Sequence, residues 1–367
     1  MLPKKILFLT PNGGRGGSEM MLWYLTKELD KQKIDWKVIT FGKGDLLNEK
    51  NYPGKVYLLP SKKGRKSEII SKINRNILKR EIDDNFILKI HKSFNPDLWY
   101  FNSCVTIGKS HLTKRVNVKF AVHFHELISV LDQLNGNDLK YAINNAYMNI
   151  GCSTPVVKML STLKATNVKL FHSGVDLSKI IYTDNYTKLR TKYNLKENDF
   201  LWIMSGQTNP RKGFDLFSEI AENFNSVENV KFMWIGNTRK HGYNYYVNQK
   251  LNELENVIIT GQLSNDYFNH LNLANGFLLT SREDPFPLVM IESAYLGKPI
   301  VSFNSGGASE FILEEMGLVQ NDFSISGIVS KMELVMDKKV KLNKEKSINR
   351  AMEFDLNNSA KNWINLL

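Results

Sequence analysis

Residues 200–225, FLWIMSGQTNPRKGFDLFSEIAENFN, decide the fold of this chain. An apolar run, Phe200–Ser205, is followed by a loop between two glycines and then by a stretch of helical periodicity, Gly213–Asn225. A buried strand, a glycine turn and an amphipathic helix are the repeating unit of a parallel, doubly wound sheet. Such sheets bind ligands beyond the carboxyl ends of their strands, which is where this loop lies.

The same alternation continues on both sides of this segment. Before it, we predict seven strands: Ile6–Leu9, Trp36–Phe41, Val56–Leu59, Leu98–Phe101, Phe120–Phe124, Asn149–Cys152 and Val168–Phe171. After it, we predict four more: Val230–Ile235, Val257–Ile259, Gly276–Leu279 and Pro299–Phe303. Between them we predict helices at 137–147, 265–274, 287–295 and 308–313, one that Ser18 caps and a short one that Ser153 begins.

The alternation stops at His172–Asp176, and the polar stretch Lys179–Asp199 follows before it restarts. We therefore predict an α/β protein of two doubly wound, Rossmann-like domains facing across a cleft, at 1–175 and 176–353. The final stretch, Phe354–Leu367, is expected to be a helix that returns to the first domain, with Trp363 and Leu366 as its anchors.

Composition excludes several classes of protein. The chain has 367 residues, of which 42% are hydrophobic and 23% charged, so it is not a disordered chain. Two cysteines, Cys104 and Cys152, cannot build a disulfide framework, and there is no Cys-x-x-Cys pair for zinc. No apolar run approaches the ~18 residues of a spanning helix. We expect a cytoplasmic protein, with peripheral contact to the inner face of the cell membrane left open.

The basic charge lies in the first half of the chain. Residues 1–175 hold 28 Lys and Arg against 14 Asp and Glu, whereas the remainder holds 21 against 23. Segment Ser61–Arg80 alone has eight basic residues and one acid, and four isoleucines fall on one of its helical faces. Such a helix either packs those isoleucines on the sheet or lies on an anionic membrane. The charge favours membrane contact, through Lys62, Lys63, Arg65, Lys66, Lys72 and Arg75.

A nucleic-acid-binding protein is the alternative that this charge suggests, since the isoelectric point is about 9.3. The sequence has no helix-turn-helix, zinc or RNA-sheet motif, so we expect no nucleic acid partner.

Three loops in the second half carry candidate chemistry. Residues 206–213, GQTNPRKG, place two adjacent cations at a strand end, where a diphosphate can bind; a solvated turn is the alternative. Residues 281–292, SREDPFPLVMIE, place two acids eight residues apart, which suits sugar hydroxyls. An acidic helix cap with a solvent-facing Glu is the alternative there. Residues 303–310, FNSGGASE, contain a glycine pair whose amides can approach a phosphate or simply form a tight turn.

We call these segments the RKG loop (206–213), the acidic box (281–292) and the GG-x-x-E loop (303–310). Taken together, they resemble the corresponding segments of the retaining nucleotide-sugar glycosyltransferases of family 4, which have the GT-B fold. Residues 16–19, GGSE, resemble the family's first glycine loop, and residues 173–176, SGVD, its domain junction. The resemblance spans most of the chain. It implies transfer of a sugar from a nucleotide sugar to a lipid-linked or cell-envelope glycan acceptor.

The resemblance also implies roles for individual residues. Arg211 and Lys212 would bind the donor diphosphate, Glu292 the ribose, and Asp284, standing where the family usually has Glu, the donor sugar. His125, rather than His123, would lie near the reacting sugar. The family's Phe-Gly is Phe286-Pro287 here, so one amide is missing, but the Leu288 and Val289 amides remain. The other expected donor contacts are Gly16, Gly17, Gly206, Gln207, Gly306 and Gly307.

The expected mechanism is a front-face displacement with retention, with no metal and no cofactor. A nucleotide-sugar epimerase or a phosphorylase on the same fold is the alternative reaction. The sequence does not identify the nucleotide, the sugar, the acceptor or the oligomeric state.

Overall fold

The computed structural model describes residues 3–62, 75–183, 185–238, 242–263 and 266–367, with the backbone alone at 62 and 75–80. Two compact units divide the chain. The first comprises Met1–Gly174 and Asn357–Leu367, and the second comprises Val175–Leu356. Each unit has its own sheet and its own core, as described below.

A parallel sheet forms the centre of the first unit. Its described strands are β1 (Lys5–Thr10), β2 (Asp35–Thr40), β3 (Val56–Leu58), β4 (Leu98–Asn102), β5 (Lys119–Phe124), β6 (Met148–Gly151) and β7 (Val168–Leu170). Their spatial order is β3-β2-β1-β4-β5-β6-β7. The helices of this part of the chain are α1 (Gly17–Lys31), α2 (Arg75–Phe94), α3 (Leu112–Val116), α4 (Ile128–Leu131), α5 (Gly136–Asn145) and α6 (Thr154–Thr162).

The second unit repeats this plan. Its described strands are β8 (Phe200–Ser205), β9 (Val230–Ile235), β10 (Val257–Gly261), β11 (Gly276–Leu279), β12 (Ile300–Phe303) and β13 (Gly317–Gln320), in the order β10-β9-β8-β11-β12-β13. Its helices are α7 (Tyr186–Lys192), α8 (Phe214–Asn223), α9 (Gly242–Leu251), α10 (Tyr267–Leu273), α11 (Leu288–Tyr295), α12 (Ala308–Phe311), α13 (Ile325–Met336) and α14 (Lys344–Glu353).

Burial on both faces explains why the strands appear in the sequence as continuous apolar runs. Ile6–Leu9 in β1 and Leu201–Met204 in β8 are fully buried, because helices cover both faces of a doubly wound sheet. In each sheet the strand order reverses beside the first strand, between β1 and β4 and between β8 and β11. Ligands of this fold bind at that switch point, so the loops that follow β8 and β11 are the candidate site.

The last helix, α15 (Leu356–Leu366), belongs almost entirely to the first unit. Its Trp363 is fully buried, and the indole ring stacks on Phe8 with ring centroids 6.2 Å apart. The indole N–H donates a hydrogen bond of 2.9 Å to Tyr100 Oη. The core of the first unit is therefore built from residues at both ends of the chain.

The structure confirms the two doubly wound sheets and every strand that the sequence predicts, each within two residues. The prediction that Ser18 caps α1 is wrong. Gly16 is the capping residue, and the Ser18 hydroxyl donates to the neighbouring Glu19 carboxylate instead. Sequence reasoning missed β13, α3, α4, α9, α13 and α14, and it missed α7 inside the polar stretch Lys179–Asp199.

The predictions for the basic segment, Ser61–Arg80, are not tested by the structure. Lys63, Arg65, Lys66 and Lys72 fall outside the described residues, and so do the side chains of Lys62 and Arg75. Its membrane contact therefore stays a prediction. Among the described residues, no helix combines the length and the apolar character needed to cross a bilayer.

Candidate functional site

The cationic loop of the second unit lies against the end of β11. It contains one short 3₁₀ turn, Pro210–Lys212, in which Asn209 Oδ1 accepts the Lys212 N–H at 2.9 Å. Gly213 then has φ of +67°, and a Cβ at this position would stand 2.0 Å from the Thr280 carbonyl oxygen. Only glycine permits both the left-handed conformation and this close approach. The loop is thereby held beside the acidic box.

Three of the predicted site residues meet here. Lys212 Nζ forms an ion pair with Asp284 Oδ2, and Arg211 Nη1 lies 3.9 Å from the other carboxylate oxygen. Ser281 Oγ also donates to Asp284, at 3.0 Å. Asp284 is 5% exposed, so its charge depends on these donors rather than on water. The structure joins two sequence motifs that are 72 residues apart.

A clamp that the sequence did not indicate holds the loop in place. Arg282 makes two hydrogen bonds of 2.7 Å to the Asp215 carboxylate on α8 and a third, of 3.0 Å, to the Pro210 carbonyl. Tyr243 Oη donates to Asp215 as well, at 2.8 Å. Burial raises the pKa of Asp215, but the hydrogen bonds from Arg282 and Tyr243 outweigh it and hold that pKa below its ordinary value. Nothing in the spacing of the sequence pairs Arg282 with Asp215.

The second acid of the box, Glu292, lies within the apolar helix α11. Burial raises its pKa to about 7, and the hydrogen bond that Tyr267 Oη donates at 2.9 Å opposes this rise. Ser205, the last residue of β8, hydrogen-bonds the same phenol. The carboxyl therefore has the hydrogen-bond partner that an acid in an apolar helix requires. Near neutral pH it stands between its charged and uncharged forms.

The glycine pair after β12 requires a correction. The Gly307 N–H donates to the Asp284 carbonyl at 3.1 Å, so that amide is not available for a phosphate. A Cβ on Gly307 would lie 2.3 Å from the Pro285 carbonyl oxygen, which explains the glycine by close packing of the two loops. Gly306 has φ of +137°, and the helix that follows, α12, has four residues rather than the predicted six.

Five further residues of the second unit were predicted to contact the donor, and their surroundings differ. Leu288 and Val289 are the first residues of α11, whose N–H groups a helix cannot satisfy internally. The Phe286 ring is buried against Phe311 and Phe354, so a donor would meet its main chain rather than its ring. The Gly206 N–H is occupied by the Ile235 carbonyl, at 2.9 Å, whereas Gln207 is exposed.

In the first unit, His125 follows directly after β5. Its Nε2 lies 3.3 Å from Asn102 Oδ1, and burial lowers its pKa to about 3. The neighbouring Glu126 carboxylate accepts hydrogen bonds from the main-chain amides of Cys104, at 3.2 Å, and His125, at 3.0 Å, and from the Ser103 hydroxyl. Ser103 has φ of +127°, a strained conformation for a residue with a side chain, and these bonds hold it.

The glycine loop of the first unit lies over the buried carboxyl group of Glu19. Gly16 and Gly17 are exposed at the start of α1, and Glu19 folds back beneath them. A Cβ on Gly16 would lie 2.3 Å from Glu19 Oε2, so a side chain at position 16 would displace this carboxyl. Burial raises the pKa of Glu19. The structure thus places Gly16, Gly17 and His125 in the first unit and the cations and acids of the box in the second.

A metal site does not emerge from the residues that the structure describes, in which no three His, Cys, Asp or Glu side chains are grouped to hold an ion. The cations of the second unit's site are paired with carboxylates, Arg211 and Lys212 with Asp284 and Arg282 with Asp215.

Comparison with known proteins identifies the family. The model of "Glycosyltransferase Family 4" matches residues 15–179, and that of "Glycosyl transferases group 1" matches residues 185–353. HepE of Anabaena, solved in complex with UDP, superposes with a TM-score of 0.78 over 99% of both chains at 17% identity, which shows the fold. Together the two family models cover most of this chain, and its pair of sheets has the GT-B fold of glycosyltransferases. The chain belongs to family 4 of those enzymes.

Curated relatives match more locally. Alpha-galactosylglucosyldiacylglycerol synthase of Streptococcus pneumoniae is 29% identical over 151 residues, 36% of this chain and 40% of that protein. UDP-Gal:alpha-D-GlcNAc-diphosphoundecaprenol alpha-1,3-galactosyltransferase of Escherichia coli is 24% identical over 241 residues, 62% of this chain and 58% of that one. The chain therefore spans about two fifths to three fifths of the length of the curated relatives that it matches.

Proposed function

We propose that this protein transfers a sugar from a nucleotide sugar to a lipid-linked or cell-envelope glycan acceptor, with retention of configuration and without a metal. The observation that carries the proposal is the meeting of Arg211, Lys212 and Asp284 at the switch point of the second sheet. Two cations and a carboxylate at the carboxyl ends of two neighbouring strands, β8 and β11, suit a diphosphate joined to a sugar.

Each side chain has a role that follows from its chemistry. Lys212 and Arg211 stabilise the negative charge that grows on the departing nucleoside diphosphate, with help from the first amides of α11. A bound diphosphate competes with Asp284 for Lys212 and releases that carboxylate to accept hydrogen bonds from the donor sugar. Glu292 accepts hydrogen bonds from the ribose hydroxyls, and His125 lies next to the reacting sugar.

The reaction proposed is a front-face displacement through an oxocarbenium-like transition state. The acceptor oxygen attacks from the side on which the diphosphate leaves, and the diphosphate takes the acceptor proton. A nucleoside diphosphate is already a good leaving group, so charge stabilisation is needed rather than a strong acid. This fits the paired cations of the second unit and, in the first unit, a His125 that is neutral.

Support for the substrates comes from proteins that this chain resembles. HepE was solved with UDP and with UDP-glucose, and the names of the two curated relatives include a glycosylated diacylglycerol and a diphosphoundecaprenol-linked sugar. A uridine-diphosphate sugar and a lipid-linked glycan are therefore the first substrates to test.

The test is transfer or donor hydrolysis by purified variants. We expect Lys212→Ala and Glu292→Ala each to lower turnover by about 10²-fold or more, roughly 3 kcal/mol of transition-state stabilisation. Lys250→Ala is the matched control, because Lys250 is an exposed lysine of the same unit whose nearest carboxylate, on Glu222, is 4.0 Å away. Near-normal turnover of both site variants would contradict the assignment.

A further inference from the structure

One face of the first sheet carries His125 together with three polar side chains that no step above uses: Tyr100, Asn102 and His123. Tyr100 and Asn102 point from β4, and His123 and His125 from the end of β5, because alternate residues of a strand share a face. Asn102 pairs with His123 in the strand register. Helix α15 covers this face through Trp363, which packs against Tyr100 with ring centroids 5.5 Å apart.

A directed hydrogen-bond chain runs across this face. The indole N–H of Trp363 can only donate, and it donates to Tyr100 Oη at 2.9 Å. Tyr100 Oη also shares a hydrogen bond of 2.9 Å with His123 Nδ1, and because the phenol oxygen already accepts from the indole, we infer that its own hydrogen is donated to Nδ1. His123 is fully buried, and burial holds its pKa well below the ordinary value, so the ring is neutral. With Nδ1 accepting, the ring proton is on Nε2.

A second chain fixes the neighbouring ring. Asn102 Nδ2 donates to the Ser18 carbonyl at 3.0 Å, and a carbonyl can only accept, so the orientation of the amide is determined. Asn102 Oδ1 therefore faces His125, whose Nε2 lies 3.3 Å away and must carry the ring proton. The lone pair of the neutral His125 ring is left on Nδ1.

The two rings are in direct contact. Their centroids are 3.8 Å apart and their planes meet at 43°. Among the described residues, His123 Nε2 has no hydrogen-bond partner although it is buried. Such an orphan N–H is unfavourable. Without Tyr100, His123 could therefore exchange tautomers or turn, and the ring that supports His125 would no longer be fixed.

We propose that Tyr100, His123 and Trp363 are positioning residues for His125. They fix the tautomer and the orientation of the supporting ring, so that His125 keeps its Nδ1 lone pair directed to accept a hydrogen bond from a sugar hydroxyl. The last helix of the chain thereby takes part in setting the geometry of the proposed reaction centre. This inference rests on the proposed function for the role of His125, but the tautomer itself can be measured independently.

The test is Tyr100→Phe, which removes the hydroxyl between Trp363 and His123 and keeps the ring. In ¹⁵N-histidine spectra, assigned with His123→Gln, we expect the single Nε2–H signature of His123 in the wild type to become a mixture. We expect kcat to fall about tenfold or more, while the KM for the donor and the Kd for UDP stay within about twofold. A purely structural defect would not produce that combination.

The matched control is Trp99→Phe, on the same strand. It removes the indole N–H that donates to His91 Nδ1 at 3.1 Å, a partly buried hydrogen bond that does not belong to the Trp363–Tyr100–His123 series. The proposal is overturned if Tyr100→Phe lowers kcat no more than this control, or if His123 keeps its single tautomer. Failure of the wild type to use any nucleotide sugar would instead count against the proposed function, and the spectra would still decide the tautomer.

Discussion

Glu292 makes the second unit less stable in the pH range in which the site is expected to work. An unfolded Glu titrates near 4.5, whereas the folded group titrates near 7 because burial disfavours its charge. Between these values the folded state retains a proton that the unfolded state has lost. The free energy of unfolding therefore falls as the pH rises from about 4.5 to 7 and stays lower above that range.

We expect Glu292→Gln to remove this dependence, because the amide is neutral and still accepts from Tyr267. The melting temperature of the variant should exceed that of the wild type by about 7–14 °C at pH 8 and nearly match it at pH 4.5. The same variant should bind nucleoside diphosphate more weakly. Thermal unfolding at both pH values measures the first effect, with the exposed Glu222→Gln as the control. An equal shift at both pH values would show that the Glu292 charge is not the cause.

At the residue scale, the sequence predicted which residues form the site but not which of them are paired with one another. Arg211, Lys212, Asp284 and Glu292 could be identified from spacing and from resemblance. The ion pair between Lys212 and Asp284 could not, because it joins loops 72 residues apart whose approach depends on Gly213. Tyr267, which stabilises Glu292, lies on α10, and nothing in the sequence marks that residue as polar support.

At the element scale, the turn at Gly213 holds the cationic loop against β11. We expect Gly213→Ala to destabilise the second unit by about 2–4 kcal/mol, because the methyl group meets the Thr280 carbonyl and the left-handed backbone is strained. Donor affinity should fall with it. Gly242→Ala is the control, since a Cβ on Gly242, the first residue of α9, has no neighbour within 4 Å.

Denaturant unfolding of the two glycine variants gives the comparison. Equal stability of both would mean that the loop can move away from β11 at no cost, and the geometry of the site would not depend on this turn.

Deeply buried elements were the ones that could be predicted from the sequence. Central strands such as β8 and β11 are apolar throughout and were found. Edge strand β13 was missed because only Gly317 of its four residues is fully buried, which leaves no apolar run. Helix α13 was missed although Ile328, Met332 and Val335 recur at helical spacing and Ser324 caps its start, so there the signal was present in the sequence and was overlooked.

At the scale of the whole molecule, the two units should unfold in two transitions, because each has its own core. Trp363→Ala should destabilise the first unit by about 3–5 kcal/mol, since it empties a fully buried site. UDP should raise only the transition of the second unit. Calorimetry of the wild type and of Trp363→Ala, with and without UDP, shows which transition belongs to which unit. A ligand that raised the transition lowered by Trp363→Ala would contradict this division.

The uneven charge leads to a prediction about surfaces. With 28 basic and 14 acidic residues in its first 175, the protein should bind anionic vesicles and release them as salt increases. Each basic residue near the surface contributes about 1 kcal/mol. Four replacements by Gln in the basic segment should weaken binding strongly: Lys62, Lys63, Arg65 and Lys66.

Four replacements by Gln in the second half serve as the control for that experiment: Lys231, Lys250, Lys331 and Lys341. They change the net charge equally, so sedimentation with the vesicles shows whether position or total charge matters. Binding that is insensitive to salt, or equal loss in both variants, would rule out a membrane-facing segment at 62–66.

The return of α15 to the first unit also determines the order in which the protein can be completed. On the ribosome, the second unit is a continuous segment, Val175–Leu356, and is synthesised in full before Trp363 emerges. The first unit, although it is translated first, lacks the side chain that covers Phe8 and Tyr100 until the final eleven residues arrive. Domains usually fold in the order in which they are made. Here the domain made second can be finished first, and the His123–His125 pair acquires its support only after the second unit has been synthesised.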